Sequence, residues 1–257
     1  MALSIDMQGR KFAVTGAAGG VGAAVGELLA RAGASVLLTD RPGSAVEKVA
    51  QTIGGAVDRV GKTCAAELDL AEPDIGPRLV EAAQRQLGGL DGVVNAGAVL
   101  RRAAFLDVTG AQLDESLSVN IRSMFLICQA AARVMVRQGH GGFVNFTSPS
   151  AFTGGKVGAV HYATAKAGVV ALTRGLATEF GRQGLRANVL CPGTTDTQMI
   201  RGTLTPEQVE AHVATVPMGR LARPDEIANG VLFLLSDLAS FVNGAVLTVD
   251  GGGGLRP

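Results

Sequence analysis

Phe12-Ala13-Val14-Thr15-Gly16-Ala17-Ala18-Gly19-Gly20-Val21-Gly22 runs from an apolar stretch straight into a glycine-rich turn. The run Phe12 to Thr15 is short and continuous, the pattern of a buried strand. Behind the turn, Val21, Ala24, Val25, Leu28 and Leu29 repeat at helical spacing, and Gly33 stops the repeat. A second apolar run, Ser35 to Thr39, ends at Asp40. Strand, turn, helix and strand make a βαβ unit. Its glycines have a direct physical use. Amides at a helix N-terminus attract a pyrophosphate, and side chains there would block its approach. Gly16, Gly20 and Val21 are the expected dinucleotide turn. Asp40 completes the context, because a carboxylate there can accept from the adenosine ribose hydroxyls and would repel a 2′-phosphate. Arg41 partly offsets that repulsion. The reading favours NAD over NADP.

Outward from this unit the alternation continues. A helix is expected within Pro42 to Gly61, a strand from Thr63 to Leu68 ending at Asp69-Leu70, a helix from Pro73 to Leu87, and a short strand Gly92 to Asn95 closed by Ala96-Gly97. Leu113 to Gln138 is the longest helical run, with Leu117, Asn120, Ile121, Met124, Phe125, Cys128, Ala131 and Ala132 on one stripe. A strand from Gly142 to Thr147 delivers Ser148. A helix follows to Phe180, then a strand Arg186 to Cys191, Pro192-Gly193, and a polar stretch, Thr194 to Pro217, with one short helix from Pro206 to Ala214. That stretch has the composition of a flap near 194–218. Pro224 opens the last helix and Ala245 to Val249 is the last strand. Alternation of this kind implies a single-domain, Rossmann-like, doubly wound parallel sheet with helices on both faces. In such sheets the ligand crevice lies outside the carboxyl ends of the strands. Asp40, Asp69, Asn95 and Ser148 all fall at such ends.

Bulk properties narrow the classes. With 257 residues, 47% hydrophobic and 18% charged, the chain can bury a sizeable core. A net charge of +1 offers no electrostatic footprint for nucleic acid. No apolar run reaches the ~18 residues of a membrane span, and Met1 to Lys11 lacks the apolar segment of a secretory signal. Cys64, Cys128 and Cys191 are scattered and have no metal-ligand spacing with His140, His161 or His212. Reduced thiols in a cytoplasmic protein, with no metal, are expected.

The chemistry-bearing stretch is Ser148 to Lys166. Tyr162, the one tyrosine, lies four residues before Lys166. On a helix that spacing puts both on one face. By spacing alone the pair is ordinary; its place at a strand end is what sets it apart. A nearby ammonium favours a phenolate and lowers the phenol's pKa, which would let Tyr162 exchange a proton with an alcohol oxygen. Asn120 is the polar member of its helical stripe, and a buried amide there must be hydrogen-bonded.

Taken together, these residues resemble the short-chain dehydrogenase/reductase family in its shorter cytosolic form. The match runs over nearly the whole chain: Thr15-Gly16 with Gly20 and Gly22, Asn95-Ala96-Gly97, Asn120, Ser148, Tyr162 with Lys166, Asn188 with Pro192-Gly193, and Val249-Asp250-Gly251-Gly252. The resemblance implies an oxidoreductase that transfers hydride between NAD(H) and a secondary alcohol or ketone. Tyr162 would be the general acid/base, and Lys166 would lower its pKa and bind the nicotinamide ribose. Ser148 would hold the substrate oxygen, and Asn120 would anchor a relay water. It further implies that Asp69 and Leu70 flank the adenine and that Asn95, Ala96 and Gly97 line the adenosine side. Thr195 and Thr197 would meet the carboxamide beside Pro192 and Gly193. A homotetramer is also implied. Two departures stand out. The Ser148 to Tyr162 spacing is fourteen, one longer than is common, so Ser150 competes with Ser148. Thr195 replaces the family's Ile or Val, so its contact is expected from backbone. Residues 192–199, 222–229 and the pair Leu100-Arg101 are similar to 2,3-dihydro-2,3-dihydroxybenzoate dehydrogenases. Dihydrodiol oxidation is therefore an alternative, beside 3-oxoacyl reduction; a cofactor-binding regulator is the non-enzymatic one. The substrate pocket is expected from Leu100 to Phe105, Ser148 to Val160 and the flap, with Arg101 or Arg102 meeting an acidic group or standing solvated.

Overall fold

A computed structural model describes residues 5–56, 61–155, 158–203 and 205–254. The expected end of the second helix (57–60), residues 156–157 of the pocket and residue 204 of the flap lie outside these, as do residues 1–4 of the N-terminal stretch. The strands are β1 (Lys11–Thr15), β2 (Ser35–Asp40), β3 (Thr63–Glu67), β4 (Gly92–Asn95), β5 (Gly141–Phe146), β6 (Leu185–Pro192) and β7 (Val246–Val249). They form one seven-stranded sheet in the order β3-β2-β1-β4-β5-β6-β7. Every pairing is parallel.

The chain winds outward from β1 through β2 to β3, then returns to place β4 on the other side of β1. The order reverses between β1 and β4, and a crevice opens there at the carboxyl ends. In register, Thr15 stands beside both Thr39 and Asn95, which brings the glycine-rich turn next to Ala96-Gly97.

Alternation along the strands sorts the core into two layers. Val14, Val36, Leu38, Val94 and Val144 face α1 (Gly20–Arg31), α2 (Val46–Ala56) and α10 (Pro224–Leu235), through Val25, Leu29, Ile53, Ile227 and Val231. Ala13, Leu37, Val93, Phe143 and Ala187 face α3 (Ile75–Leu87), α5 (Ser123–Gln138) and α7 (Val160–Phe180), through Leu79, Ile127, Met135 and Val169.

Three elements depart from the sequence reading. The long helical run is α4 (Gly110–Leu117), a π-turn (Ser118–Arg122) and α5 rather than one helix. Phe125, placed on its inner stripe, is half exposed. By length and composition Gly110–Gln138 does reach what a membrane span requires. Here, however, Met124, Ile127, Cys128, Ala131 and Met135 are buried in the second core layer. A short helix, α6 (Ser150–Thr153), follows β5, and the 194–218 stretch holds two helices, α8 (Gln198–Thr203) and α9 (Pro206–Val213).

Candidate active site

The glycine-rich turn is shaped by its neighbour. Gly16 has φ +69°, and a Cβ there would stand 2.6 Å from the Cα of Gly97. Strand ends β1 and β4 can approach this closely only without side chains. The amide of Gly97 donates to Thr15 Oγ1 at 3.2 Å and fixes the two loops together. Leu70 packs against the same point, since a Cβ on Gly97 would lie 2.5 Å from its Cδ1. Gly19 is different, because a Cβ there would meet nothing within 4 Å. It faces a cavity of about 360 Å³ lined by Ala18, Gly19, Gly20, Asp196, Thr197, Gln198, Arg201 and Pro224. A backbone cradle at a helix N-terminus that opens on a cavity fits the pyrophosphate of a nicotinamide dinucleotide. Asp40 is pinned at the end of β2. Its carboxylate accepts from the Ala18 amide at 2.9 Å and the Arg41 amide at 2.8 Å, and each oxygen keeps acceptor capacity. Asp69 accepts from the Ala71 amide at 2.8 Å, closing the turn that presents Leu70.

Tyr162, Ser148 and Lys166 meet where β5 ends and α7 begins. The Tyr162 phenol is hydrogen-bonded to the Ser148 hydroxyl. Ser150 instead opens α6, and its amide donates to Ser148 Oγ at 3.2 Å. Between Ser148 and Tyr162 the chain passes through α6 and then Gly154 and Gly155, at φ +76° and +85°. Lys166 is 1% exposed. Its Nζ sits 5.7 Å from the centroid of the Tyr162 ring and donates to the Phe146 carbonyl at 2.8 Å. Thr147 completes the clamp by donating to the Lys166 carbonyl at 2.7 Å.

The electrostatics correct one expectation. Spacing alone suggests that the ammonium pulls the phenol's pKa down. Burial instead pushes Tyr162 up to about 12, the hydrogen bond from Ser148 offsetting only part of this. Burial also lowers Lys166 to about 8, partly countered by the nearby Cys191. The Cys191 thiol, itself pushed up to about 12 by burial, is a neighbour of the site that spacing did not reveal. At neutral pH the resting site therefore holds a neutral phenol above a charged, buried ammonium.

Two asparagines serve the scaffold with their side chains. The Asn95 side chain turns into the sheet. It is 2% exposed and donates to Asn145 Oδ1 at 2.8 Å, and Asn145 in turn donates to Thr173 Oγ1 at 3.0 Å. This leaves Ala96 and Gly97 at the crevice edge. Asn120 accepts from the Val99 amide and donates to the Val99 carbonyl, both at 2.9 Å. Its side-chain amide is spent on the loop after β4 and ties that loop to the π-turn. Such turns inside helices recur at functional sites.

Pro192 and Gly193 end β6 against β7. A Cβ on Gly193 would stand 2.6 Å from the Cα of Asp250. Thr195 is buried and donates to the Gly193 carbonyl at 3.0 Å, so its side chain is spent internally. Thr197 lies over the turn, its Cγ2 3.2 Å from where a Cβ on Gly20 would be. Thr194 Oγ1 and His212 Nε2 form a hydrogen bond that ties α9 to the end of β6. Arg101 pairs with Glu115 at 3.4 Å at the rim. Sequence reading did not single out Asp196 and Arg201, which line the cavity at the glycine-rich turn because α8 lies over that turn.

Comparison with known proteins agrees with this geometry. A family model described as enoyl-(acyl carrier protein) reductase matches residues 16–253. A 3-oxoacyl-[acyl-carrier-protein] reductase of Aquifex aeolicus is 35% identical over 97% of this chain and 99% of its own. An inactive 2-(S)-hydroxypropyl-CoM dehydrogenase 2 of Xanthobacter autotrophicus is 39% identical over 86% of this chain and 96% of its own. A solved structure from Beutenbergia cavernae, a candidate NAD(P)-dependent gluconate 5-dehydrogenase with NADP bound at low occupancy, superposes with a TM-score of 0.90. It is 33% identical and covers 98% of this chain and 99% of its own.

Proposed function

The chain belongs to the short-chain dehydrogenase/reductase family of oxidoreductases acting on CH–OH groups, and on that premise we propose that it interconverts a secondary alcohol and a ketone with NAD(H). The observation that carries this reading is the Ser148–Tyr162 hydrogen bond above a buried Lys166, beside the glycine-rich turn. A bound nicotinamide supplies or accepts the hydride. The protein's own residues handle the oxygen and its proton. Ser148 donates to the carbonyl oxygen and orients it toward the phenol. As that oxygen gains negative charge, Tyr162 gives it the phenolic proton, which its raised pKa keeps in place at neutral pH. The Lys166 ammonium, held by the Phe146 carbonyl, stabilises the phenolate left behind. In the alcohol-oxidising direction the same groups run in reverse.

Pyrophosphate would rest on Gly19, Gly20 and Val21, the adenosine ribose on Asp40, and the adenine between Asp69-Leu70 and Ala96-Gly97. Asp40 supports NAD over NADP, because its anchored carboxylate would face a 2′-phosphate. Pro192, Gly193, Thr195 and Thr197 would meet the nicotinamide end, Thr195 through its backbone. The segment 194–218 would cover the substrate. Similarity to a 3-oxoacyl reductase favours oxoacyl thioesters as the second reading. An apolar groove of about 550 Å³ along Leu117, Ile121, Phe125 and Leu126 supports the homotetramer the family implies, which analytical ultracentrifugation reads directly.

Tyr162→Phe tests the assignment on a panel of hydroxy acids, cyclic diols, sugars and oxoacyl thioesters. Turnover is expected to fall about a hundredfold or more, with NADH affinity by fluorescence unchanged. Near wild-type turnover in the variant would refute the role of Tyr162. Binding of NADH without turnover of any panel member by the wild type would favour a cofactor-binding regulator.

A further inference from the structure

The cavity over the glycine-rich turn is lined by one cation and one anion, and they are paired with each other. Arg201 Nε and Nη2 donate to the two carboxylate oxygens of Asp196 at 2.7 and 2.8 Å. Both side chains are open to solvent at the cavity mouth, Arg201 at 72% and Asp196 at 40%. The backbone beneath Asp196 is fixed. Its amide donates to the Ala222 carbonyl at 2.9 Å, and Ala222 donates back to Thr194 at 3.1 Å. Arg201 is carried by α8, which begins directly after Thr197, the residue that lies over Gly20.

The charges pose a problem for a dinucleotide. Its pyrophosphate would enter a cavity that also holds the Asp196 carboxylate, which repels it. The guanidinium in the same lining can outweigh that repulsion by pairing with the phosphate itself, since its planar fork fits phosphate as well as carboxylate. We propose that Arg201 is a pyrophosphate-contacting residue that exchanges Asp196 for the cofactor's phosphate oxygens. Asp196 holds the guanidinium at the cavity mouth until the nucleotide arrives. The exchange draws α8 toward the turn and so couples cofactor binding to the cover over the crevice. This inference rests on the dinucleotide reading of the turn.

ADP-ribose, which carries the pyrophosphate but no nicotinamide, is the probe, titrated by calorimetry into the full chain and into Arg201→Ala, Arg201→Lys and Asp196→Asn. Arg201→Ala is expected to weaken ADP-ribose about tenfold or more, the scale of a lost charge-assisted contact, and Arg201→Lys to recover part of that. Asp196→Asn is expected to bind equally or more tightly, because it removes the competing carboxylate. Were the pair only a staple holding α8 in place, both Ala and Asn variants would weaken binding alike, and that result overturns the proposal. So does unchanged affinity in Arg201→Ala. Failure of the wild-type chain to bind either ADP-ribose or NADH overturns the dinucleotide reading itself and this inference with it.

Discussion

Replacing Lys166 by Met should change how stability depends on pH, and the structure sets the size of the change. Lys166 is buried and its pKa is lowered from 10.5 to about 8 by desolvation. Below pH 8 the ammonium is charged in both folded and unfolded chains, and the folded state bears the full cost of burying it. Between pH 8 and 10.5 the folded chain has released the proton while the unfolded chain still holds it. Stability therefore rises with pH across that window. One proton over the stretch from pH 8 to 9.5 corresponds to about 2 kcal/mol. Tyr162, Cys128 and Cys191, all pushed up to about 12, titrate in both proteins and largely cancel in the difference. The assay is chemical denaturation of wild type and Lys166→Met at one protein concentration from pH 6.5 to 9.5. The variant loses the hydrogen bond to Phe146 at every pH, so the offset between the curves is not diagnostic; their divergence is. Wild type should gain about 2 kcal/mol on the variant between pH 8 and 9.5. A difference that stays flat with pH would show that folded Lys166 keeps its proton through pH 9.5 as the unfolded chain does, and would refute the lowering of its pKa by burial.

Two further substitutions probe the cofactor end. Asp40→Ser should raise the ratio of kcat/KM for NADP over NAD by about tenfold or more, since it removes the carboxylate that faces a 2′-phosphate; steady-state kinetics with both cofactors reads this, and an unchanged ratio places cofactor choice elsewhere. Gly16→Ala combines φ +69° with a Cβ 2.6 Å from the Gly97 backbone. It should cost more than about 1 kcal/mol in denaturation experiments and weaken NADH binding, because β1 and β4 would have to separate; a stable variant that binds normally would show that the approach of the two loops is not required.

Much of the fold was legible along the chain because its signals are local. Glycine after Thr15, the helical repeat behind it and Asp40 at the next strand end need only neighbours in sequence to be read. Each apolar run also became a strand within a residue or two of its expected bounds. The break in the run from Leu113 to Gln138 was not legible. At that break Asn120 is held by the backbone of Val99, a partner twenty-one residues away. Asn95 reads as a crevice residue by position, yet across the sheet its side chain faces Asn145 on the adjoining strand and donates to its Oδ1. The choice between Ser148 and Ser150 also waited for the chain to fold, when α6 turned Ser150 away and left Ser148 against the phenol.

Residue type and order alone determined the βαβ unit, the sheet class and the set Ser148, Tyr162 and Lys166, since strand and helix periods and glycine turns are written residue by residue. Tertiary structure decided the charge state of that set. Spacing counts neighbours but not the water removed from around them, and desolvation is what raises Tyr162 and lowers Lys166. It also decided where Arg201 sits. Its place over the glycine-rich turn, far away in sequence, exists only once the segment after β6 lies across the carboxyl edge of the sheet.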